Sequence, residues 1–264
     1  MPEGDTVYRL AARLRPVLAG QVLVRTQFRV PSLATRDLSG REVTTVEARG
    51  KHLLIGVGDT VVWSHLKMEG HWRVYPAGGR WTSPAHTARC VLATATHEAV
   101  GFSLGFLRLL PAAGVESRLA FLGPDPLGDW NPDAARRNLR AQGERALGLA
   151  LLDQSVIAGL GNVYRSEVLF LSGIHPGTPV SDLSDNQLGR VVEISARLLR
   201  LNRDRDRRNT TGNAGGPPSW VYRRAGQPCL RCRTPVARGS LGGSGIEPFE
   251  RVVFWCPRCQ AATG

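Results

Sequence analysis

The length and composition of the chain limit the classes of protein to which it can belong. It has 264 residues, of which 42% are apolar, and this is enough to fill the core of one large domain or two modest ones. Disorder as the default state is therefore excluded. No run approaches the roughly 20 uninterrupted apolar residues that a bilayer span needs, and Glu3 and Asp5 stand where a secretion signal carries basic residues. We expect a cytoplasmic protein with no membrane partner.

The charge of the chain is strongly basic. Cationic side chains outnumber acidic ones by 34 to 22, and the 34 cations comprise two lysines, Lys51 and Lys67, and 32 arginines. Guanidinium groups pair with phosphate oxygens through two parallel hydrogen bonds. The net charge of +12 therefore favours a polyanionic partner, with nucleic acid ahead of a membrane surface. A GC-rich genome that uses arginine for every surface cation explains part of the same bias.

Residues 1–122 are expected to form the first domain. Its opening segment repeats apolar side chains at helical spacing, is capped by Asp5 or Thr6, and stops at Gly20. From residue 21 onward the pattern changes to short, β-branched, partly alternating runs that are separated by glycine and proline. This alternation predicts an antiparallel β-sandwich or barrel.

Helices are predicted for the second half of the chain. Residues 123–133 combine turn formers with little apolar content, which is typical of an interdomain hinge. The expected second domain, residues 134–219, shows helical periodicity over the segments 134–141, 147–157, 163–172 and 184–201. Residues 202–219 are rich in Arg, Asp, Asn, Gly and Pro, and this composition predicts a mobile loop.

The cysteines predict a metal site in the third part, residues 220–264. Four of the five form two CxxC pairs: Cys229, Cys232, Cys256 and Cys259. Two such knuckles joined by a hairpin can place four thiolates around one structural zinc ion, and the cytoplasm disfavours disulfides. A redox-active CxxC is the alternative. This part is too short to bury a core of its own, so the metal would supply folding free energy. Cys90 is expected to be a buried small residue, and the six histidines have no metal-ligand spacing.

The first residues of the chain suggest a nucleophile. The sequence begins Met1-Pro2-Glu3-Gly4, and a small second residue allows Met1 to be removed. The new terminus would be the secondary amine of Pro2. An α-amino group titrates near pH 8, roughly, so that a useful fraction is unprotonated at neutral pH. Glu3 could donate or accept a proton at the carbon that this amine attacks. An ordinary chain terminus is the alternative interpretation.

Two further segments are suited to binding phosphate. Gly159 and Gly161 join two predicted helices, and Asn162 opens the second, where unpaired amides and a positive dipole favour an anion. A plain helix-turn-helix packing element accounts for the same pattern. Arg251, five residues before the second CxxC pair, could reach a groove of a duplex from the zinc hairpin, and Arg238 is a second candidate. A solvated arginine is the alternative for both.

Together these motifs resemble the Fpg/Nei family of DNA glycosylases over nearly the whole chain. The motifs, in family order, are the terminal PEG, RGK at 49–51, HLKMEG at 65–70, LDQ, AGLGN and YRSE within 151–167, VYRRAGQPC at 221–229, and the CxxC pairs. The resemblance implies an α+β fold with several domains: an N-terminal helix on a β-sandwich, a helix-two-turn-helix domain and a C-terminal zinc-finger hairpin. It also implies damaged DNA as the partner, bound in the cleft between domains.

The resemblance implies a catalytic group in the first domain. By this resemblance Pro2 attacks C1′ of the damaged nucleotide and forms a Schiff base, Glu3 is the general acid and base at the sugar, and Lys51 contacts a phosphate or sugar oxygen. Met68 falls where the family inserts an apolar side chain into the base stack, which offsets the cost of everting the damaged base. The enzyme would be a monomer associated with the nucleoid, without a redox cofactor or catalytic metal.

The resemblance also implies DNA contacts in the rest of the chain. Asn162 and Arg251 would grip the phosphates that flank the lesion. Glu167, in the same helix as Asn162, is a further candidate for the DNA-binding site, although capping or pairing with a cation would explain it equally well.

Departures from the family pattern bear on the substrate. Gly148 stands where the oxidised-purine branch carries a lysine, and residues 104–110 lack the Arg-Phe pair of that branch. The chain therefore looks more like the endonuclease VIII (Nei) branch, which prefers oxidised pyrimidines. Thr6 stands where many relatives have a second glutamate. The 23 residues between Cys232 and Cys256 form a longer, glycine-rich finger.

Three alternative functions remain from the sequence. The chain could be a non-catalytic, zinc-finger DNA-binding paralogue that has lost excision. It could be an oxidised-purine enzyme of the Fpg type. It could also be a zinc-ribbon factor for transcription or RNA, although this would leave Pro2, Glu3 and Lys51 without roles.

Overall fold

The computed structural model describes residues 2–243 and 249–261, and the chain divides into two compact units, Met1–Ala120 and Phe121–Gly264. The predicted first domain ends two residues beyond the first unit. The predicted division of the second unit into hinge, helical domain and finger stays a prediction. Among the described residues, no helix is long and apolar enough to cross a bilayer.

The first unit opens with helix α1, Gly4–Leu18. Its buried face is formed by apolar side chains four or three positions apart: Val7, Ala11, Leu14 and Leu18. The helix begins earlier than the sequence pattern indicates, because Glu3 is the N-cap residue. Asp5 lies in the first turn, where its carboxylate accepts from Arg9 at 3.3 Å and complements the helix dipole.

Two antiparallel sheets follow α1, and they confirm the predicted sandwich. One sheet has the strand order β1-β6-β7-β5, and the other has the order β2-β3-β4-β8. The strands are β1 Arg25–Phe28, β2 Val43–Arg49, β3 His52–Val57, β4 Thr60–His65, β5 His71–Pro76, β6 Ala88–Ala93, β7 His97–Phe102 and β8 Phe106–Pro111. The side chains of β8 are mostly half-buried and do not alternate between buried and exposed, so the period-two pattern that indicates the other strands is weak there. Helix α2, Val115–Leu119, completes the unit.

One hydrophobic core joins α1 to the sandwich. The apolar face of α1 packs with inward-facing strand residues, among them Leu53, Ile55 and Val62, all at most 1% exposed. Cys90 lies in this core and is fully buried, as expected. The strands that carry the predicted site residues are therefore held to α1 by a packed interior.

The second unit begins with helices around a core of its own. They are α3 Pro132–Arg140, α4 Leu147–Ala150, α5 Asn162–Ser172 and α6 Asp185–Asn202. Helix α3 starts two residues before the predicted position, because the Asn131 side chain accepts from the Ala134 amide at 2.9 Å and Pro132 fits the first helical turn. Helix α6 begins with a capping box formed by Ser184 and Gln187.

Helix α4 is much shorter than the predicted helix over 147–157. Beyond Ala150, polar side chains form hydrogen bonds with backbone groups that would otherwise bond within a helix. The Asp153 carboxylate accepts from the Ser155 backbone amide at 3.0 Å. The Gln154 side chain accepts from the Gly159 backbone amide and donates to the Leu160 carbonyl, both at 3.0 Å. Residues 151–161 therefore form two successive turns that lead into α5.

The chain from residue 203 to the finger has no helix or strand in the described structure, but it is internally hydrogen-bonded. The Asn209 side chain accepts from Thr211 and Gly212, and the Asn209 amide donates to the Asn202 side chain at 2.6 Å. Mobility of this loop stays a prediction. The finger contains a hairpin of β9, Ala237–Leu241, and β10, Arg251–Trp255. The parts of the predicted finger at 244–248 and 262–264 lie outside the described residues.

Candidate functional site

The predicted nucleophile and acid lie at the start of α1. Pro2 is half-buried, and Glu3 is fully buried. The backbone carbonyl of Glu3 accepts from the amides of Thr6 and Val7 at 2.9 and 3.1 Å. These bonds fix the residue that follows Pro2 to the first helical turn, so the terminus is held by a rigid element. Met1 lies outside the described residues, and its removal stays a prediction.

Lys51 lies in the two-residue turn that joins β2 to β3. Arg49 pairs with His52 across this hairpin, and Gly50 has φ +55, a conformation that glycine adopts without strain. The turn thus places the half-buried Lys51 at the end of two paired strands. A strand end is a more rigid support for a phosphate or sugar contact than a long loop would be.

A pair of histidines lies beside Lys51 and was not predicted as functional. His52 and His65 are cross-strand partners with ring centroids 5.1 Å apart. Burial is the main cause that lowers the pKa of each ring to about 4. The positive charges of Lys51 and Lys67 contribute to both pKa values, and His52 also contributes to that of His65. Both rings are therefore neutral at pH 7.

Hydrogen bonds fix the tautomer of each ring. The Trp63 indole donates to Nδ1 of His52 at 3.0 Å, and the Lys67 amide donates to Nδ1 of His65 at 2.8 Å. Each neutral ring therefore carries its proton on Nε2, as a donor. Both lysines of the chain thus adjoin two neutral donors, a combination suited to an anionic oxygen. A prediction of the pairing between β3 and β4 would have placed His52 opposite His65 and so indicated this pair.

Met68 lies on an exposed turn that follows His65 and Lys67, next to the histidine pair. Its side chain is 62% exposed, whereas Leu66 is buried and the Gly70 amide closes the turn on the Leu66 carbonyl at 2.9 Å. Lys67 adopts φ 56, and its side chain covers Gly105 so closely that a Cβ there would collide with it. The turn presents an apolar side chain to solvent on an anchored backbone, which is the geometry that a wedge residue needs.

In the second unit, Asn162 is the first residue of α5. Gly161 is the N-cap residue, and Gly159 adopts φ +90, which favours glycine. Asn162 is half-buried at the positive end of the helix dipole. This placement fits the predicted phosphate contact.

Arg251 is the first residue of β10 and is exposed, with its guanidinium 5.7 Å from the ring of Phe249. Its cross-strand partner is Leu241. Arg238, the second candidate, is exposed on β9 opposite Phe254. Both arginines are thus available on the hairpin, and their contact with DNA stays a prediction.

Glu167 lies inside the second unit and is 0% exposed. Its carboxylate accepts from the amides of Trp220, Val221 and Tyr222 at 2.8 to 3.0 Å and from the Thr210 hydroxyl. Burial raises the pKa of this carboxyl, and the four donors oppose the rise. In the described conformation the side chain organises the backbone that enters the finger. The assignment of Glu167 to DNA binding stays a prediction, and its geometry supports an indirect role.

The four cysteines predicted to bind metal come together. All four sulfurs lie within 4.8 Å of one another, with 4.0 Å between Cys229 and Cys259 and 3.4 Å between Cys232 and Cys256. A tetrahedral zinc with bonds of about 2.3 Å would separate its sulfurs by about 3.8 Å. The site therefore fits one four-coordinate ion. A shell of four thiolates is typical of a structural zinc and leaves no position for a substrate.

Replacing Cys256 with serine is expected to raise the Kd for zinc by at least about a hundredfold, so that a buffered free-zinc concentration just sufficient to saturate the wild type leaves most of the variant without zinc. Cys256 is fully buried in a core cluster that also contains Phe170 of α5 and Phe254 of β10, so the hairpin should also lose order. Zinc released in denaturant and measured with a chromogenic chelator gives the stoichiometry. Cys90→Ala is the matched control, because this thiol lies in the first unit and should leave zinc content unchanged. Full zinc content in the Cys256 variant would contradict the site.

Comparisons with known proteins agree with this architecture. Residues 1–104 match the formamidopyrimidine-DNA glycosylase N-terminal domain, and residues 122–211 match the formamidopyrimidine-DNA glycosylase H2TH domain. The chain is 50% identical to a "Probable endonuclease 8 2" of Streptomyces coelicolor over 99% of this chain and 94% of the relative. It is 48% identical to the "DNA-(apurinic or apyrimidinic site) lyase Nei2" of Mycolicibacterium smegmatis over the full length of both.

A solved structure of MutM in complex with DNA that contains carbocyclic 8-oxo-G has the same fold. It has a TM-score of 0.84 and 24% identity, over 99% of this chain and all of that one. The chain therefore belongs to the Fpg/Nei family of DNA glycosylases, whose members excise bases and act as AP lyases. Within the family it falls in the endonuclease VIII branch, to which both named relatives belong.

Proposed function

We propose that the chain excises oxidised bases, pyrimidines in preference, through a Schiff base on Pro2. After Met1 is removed, the Pro2 amine attacks C1′ of the damaged nucleotide, and the glycosidic bond breaks as the base leaves with a proton. Loss of the amine proton and opening of the sugar ring, with a proton delivered to the ring oxygen by Glu3, then give the iminium. The single observation that carries the proposal is the placement of Glu3, fully buried beside Pro2 at the start of α1.

The iminium makes the 2′ proton of the sugar acidic. Removal of that proton expels the 3′ phosphate by β-elimination, and the strand is cut. Lys51, with the neutral donors of His52 and His65 beside it, would hold an anionic oxygen of the lesion strand. Met68 would fill the gap left by the everted base.

The other DNA contacts belong to the second unit. Asn162 and Arg251 would bind the phosphates that flank the lesion, and Glu167 would order the backbone that enters the finger. The four cysteines would hold one structural zinc. The enzyme would act as a monomer on nucleoid DNA, and its affinity would fall steeply with salt because phosphate contacts release counterions.

The preference for oxidised pyrimidines is supported by the surroundings of Gly148. This residue is buried, and a Cβ at its position would lie 2.6 Å from Leu241 Cδ1 and 2.8 Å from the Pro176 carbonyl oxygen. The backbone there has no room for the lysine of the oxidised-purine branch.

Borohydride trapping on a panel of duplex oligonucleotides tests this function. We expect the wild-type protein, with Met1 removal verified by intact mass, to form a covalent adduct with abasic-site DNA and to release thymine glycol and dihydrouracil faster than 8-oxoguanine. No adduct from correctly processed protein would favour the non-catalytic paralogue. Faster release of 8-oxoguanine would favour the oxidised-purine enzyme.

A further inference from the structure

A fully buried guanidinium in the second unit has no part in the function proposed above. Arg165 lies on α5, one helical turn after Asn162, and is 0% exposed. Arginine remains protonated in proteins, so a charge in this position needs acceptors within the fold. The backbone carbonyls to which Arg165 donates indicate its structural role.

The Arg165 side chain joins three elements. Its Nη1 donates to the carbonyl of Gly148 on α4 at 3.2 Å, and its Nη2 donates to the carbonyl of Val252 on β10. Val252 directly follows Arg251 in the chain. One guanidinium therefore connects the helix that starts at Asn162 with the strand that starts at Arg251.

A second contact holds the end of the hairpin where β9 finishes and β10 begins. Leu241, the cross-strand partner of Arg251, packs against Gly148 so closely that a Cβ on Gly148 would lie 2.6 Å from its Cδ1. The hairpin is thus held at Gly148 through the Leu241 side chain and at Arg165 through the Val252 carbonyl. Val252 is the residue after Arg251, and Leu241 is the cross-strand partner of Arg251, so both contacts hold the backbone close to Arg251.

We propose that Arg165 is a positioning residue that fixes Arg251 relative to Asn162, so that the two phosphate contacts are presented at one set spacing. The inference rests on the proposed function, in which both residues bind phosphates. Contacts held in place before binding cost less conformational entropy when the DNA arrives. A guanidinium with two carbonyl acceptors suits this task better than an ammonium, because its donors point in fixed directions.

Arg165→Met tests the proposal, because methionine keeps much of the volume and removes the donors. We expect the Kd for a duplex with an abasic-site analogue to rise about tenfold, and the slope of log K against log salt to fall by about one. The adduct yield at saturating DNA should stay at the wild-type level, because Arg165 touches none of the reacting groups. Zinc content should remain one ion per chain.

A double-mutant cycle distinguishes positioning from general stability. If Arg165 acts through Arg251, Arg165→Met should add little to the loss in Arg251→Ala, whereas fully additive losses would overturn the proposal. Arg224→Met is the matched control. Arg224 is also buried and donates to the carbonyls of Trp220 and Pro228, but these residues precede the first CxxC pair and do not lie on β10. Its salt slope should match that of the wild type.

Gly148→Ala provides a second test if Arg165→Met fails to fold. The added methyl would lie 2.6 Å from Leu241 Cδ1 and 2.8 Å from the Pro176 carbonyl oxygen, so it should displace Leu241 and with it the start of β10 at Arg251. The same loss of salt slope is therefore expected. An unchanged slope in this variant would overturn the proposal. If Arg251→Ala alone leaves DNA binding unchanged, the phosphate contact in the proposed function is wrong. If Arg251→Ala weakens binding and the Arg165 loss is additive, only the present inference fails.

Discussion

Pro2→Gly is expected to lower the rate of borohydride trapping on abasic-site DNA by about a hundredfold, the cost of a misplaced reacting group. Glycine still permits removal of Met1, so the variant keeps an α-amine of similar pKa. It loses the pyrrolidine ring, which makes the terminal amine a secondary amine and fixes the direction of its lone pair relative to the backbone. Because Glu3 is fixed to the first turn of α1, the geometry of its neighbour should matter to the reaction.

Single-turnover trapping with intact-mass verification of both proteins measures this effect. Pro16→Ala is the matched control, because Pro16 is an exposed proline within the same helix and far along it from the terminus. It should trap at the wild-type rate. Equal trapping by wild type and Pro2→Gly, or full cleavage by protein that retains Met1 or is acetylated, would refute the terminal amine as the nucleophile.

Glu3→Gln is expected to slow base excision by about a hundredfold to ten-thousandfold, the range for loss of a general acid or base. Strand cleavage at a preformed abasic site should be less affected, because the sugar of that substrate already interconverts with its open-chain aldehyde and depends less on a proton from Glu3 to open the ring. Glutamine keeps the size of the side chain, and the backbone carbonyl of Glu3 still accepts from Thr6 and Val7, so α1 should remain folded.

Parallel assays on a thymine-glycol duplex and on an abasic-site duplex separate the two steps. Glu42→Gln makes the same chemical change at an exposed site of the first unit and should behave as the wild type. The general-acid role would be disproved by equal losses on both substrates or by no loss on either. Thermal unfolding of each variant shows whether a loss of activity reflects a loss of fold.

Local sequence patterns predicted the elements that local physics determines. The apolar spacing of α1, the alternation of most strands and the four-helix succession of the second unit were all readable because each depends on neighbours within a few residues. The errors arose where side chains replaced backbone bonds. Helix α4 ends early because the Asp153 and Gln154 side chains form hydrogen bonds with backbone amides. Polar side chains of this kind favour turns, and their presence in the sequence could have indicated turns there.

The site was predictable only where a motif carried it. Pro2 came from the chemistry of the terminal motif, Lys51 came from the family resemblance, and the cysteines came from spacing that reflects metal geometry. The roles of Glu167 and Arg165 could not be derived in this way. Glu167 binds amides 53 to 55 positions away, and Arg165 binds a carbonyl 87 positions away. Such pairs depend on tertiary packing, which no local periodicity encodes.

The N-cap residue of α1 limits how far the thermal stability of the protein can be raised by laboratory selection. Glutamate is a poor N-cap residue, and among the described residues the Glu3 side chain makes no capping bond to the first turn. Serine or aspartate at this position could cap the first turn, and such a cap contributes about 1 kcal/mol to helix stability relative to a residue without one. On the proposed role of Glu3 as the general acid, selection for heat resistance alone would favour variants that are more stable but inactive, whereas a screen that also requires base excision would retain glutamate.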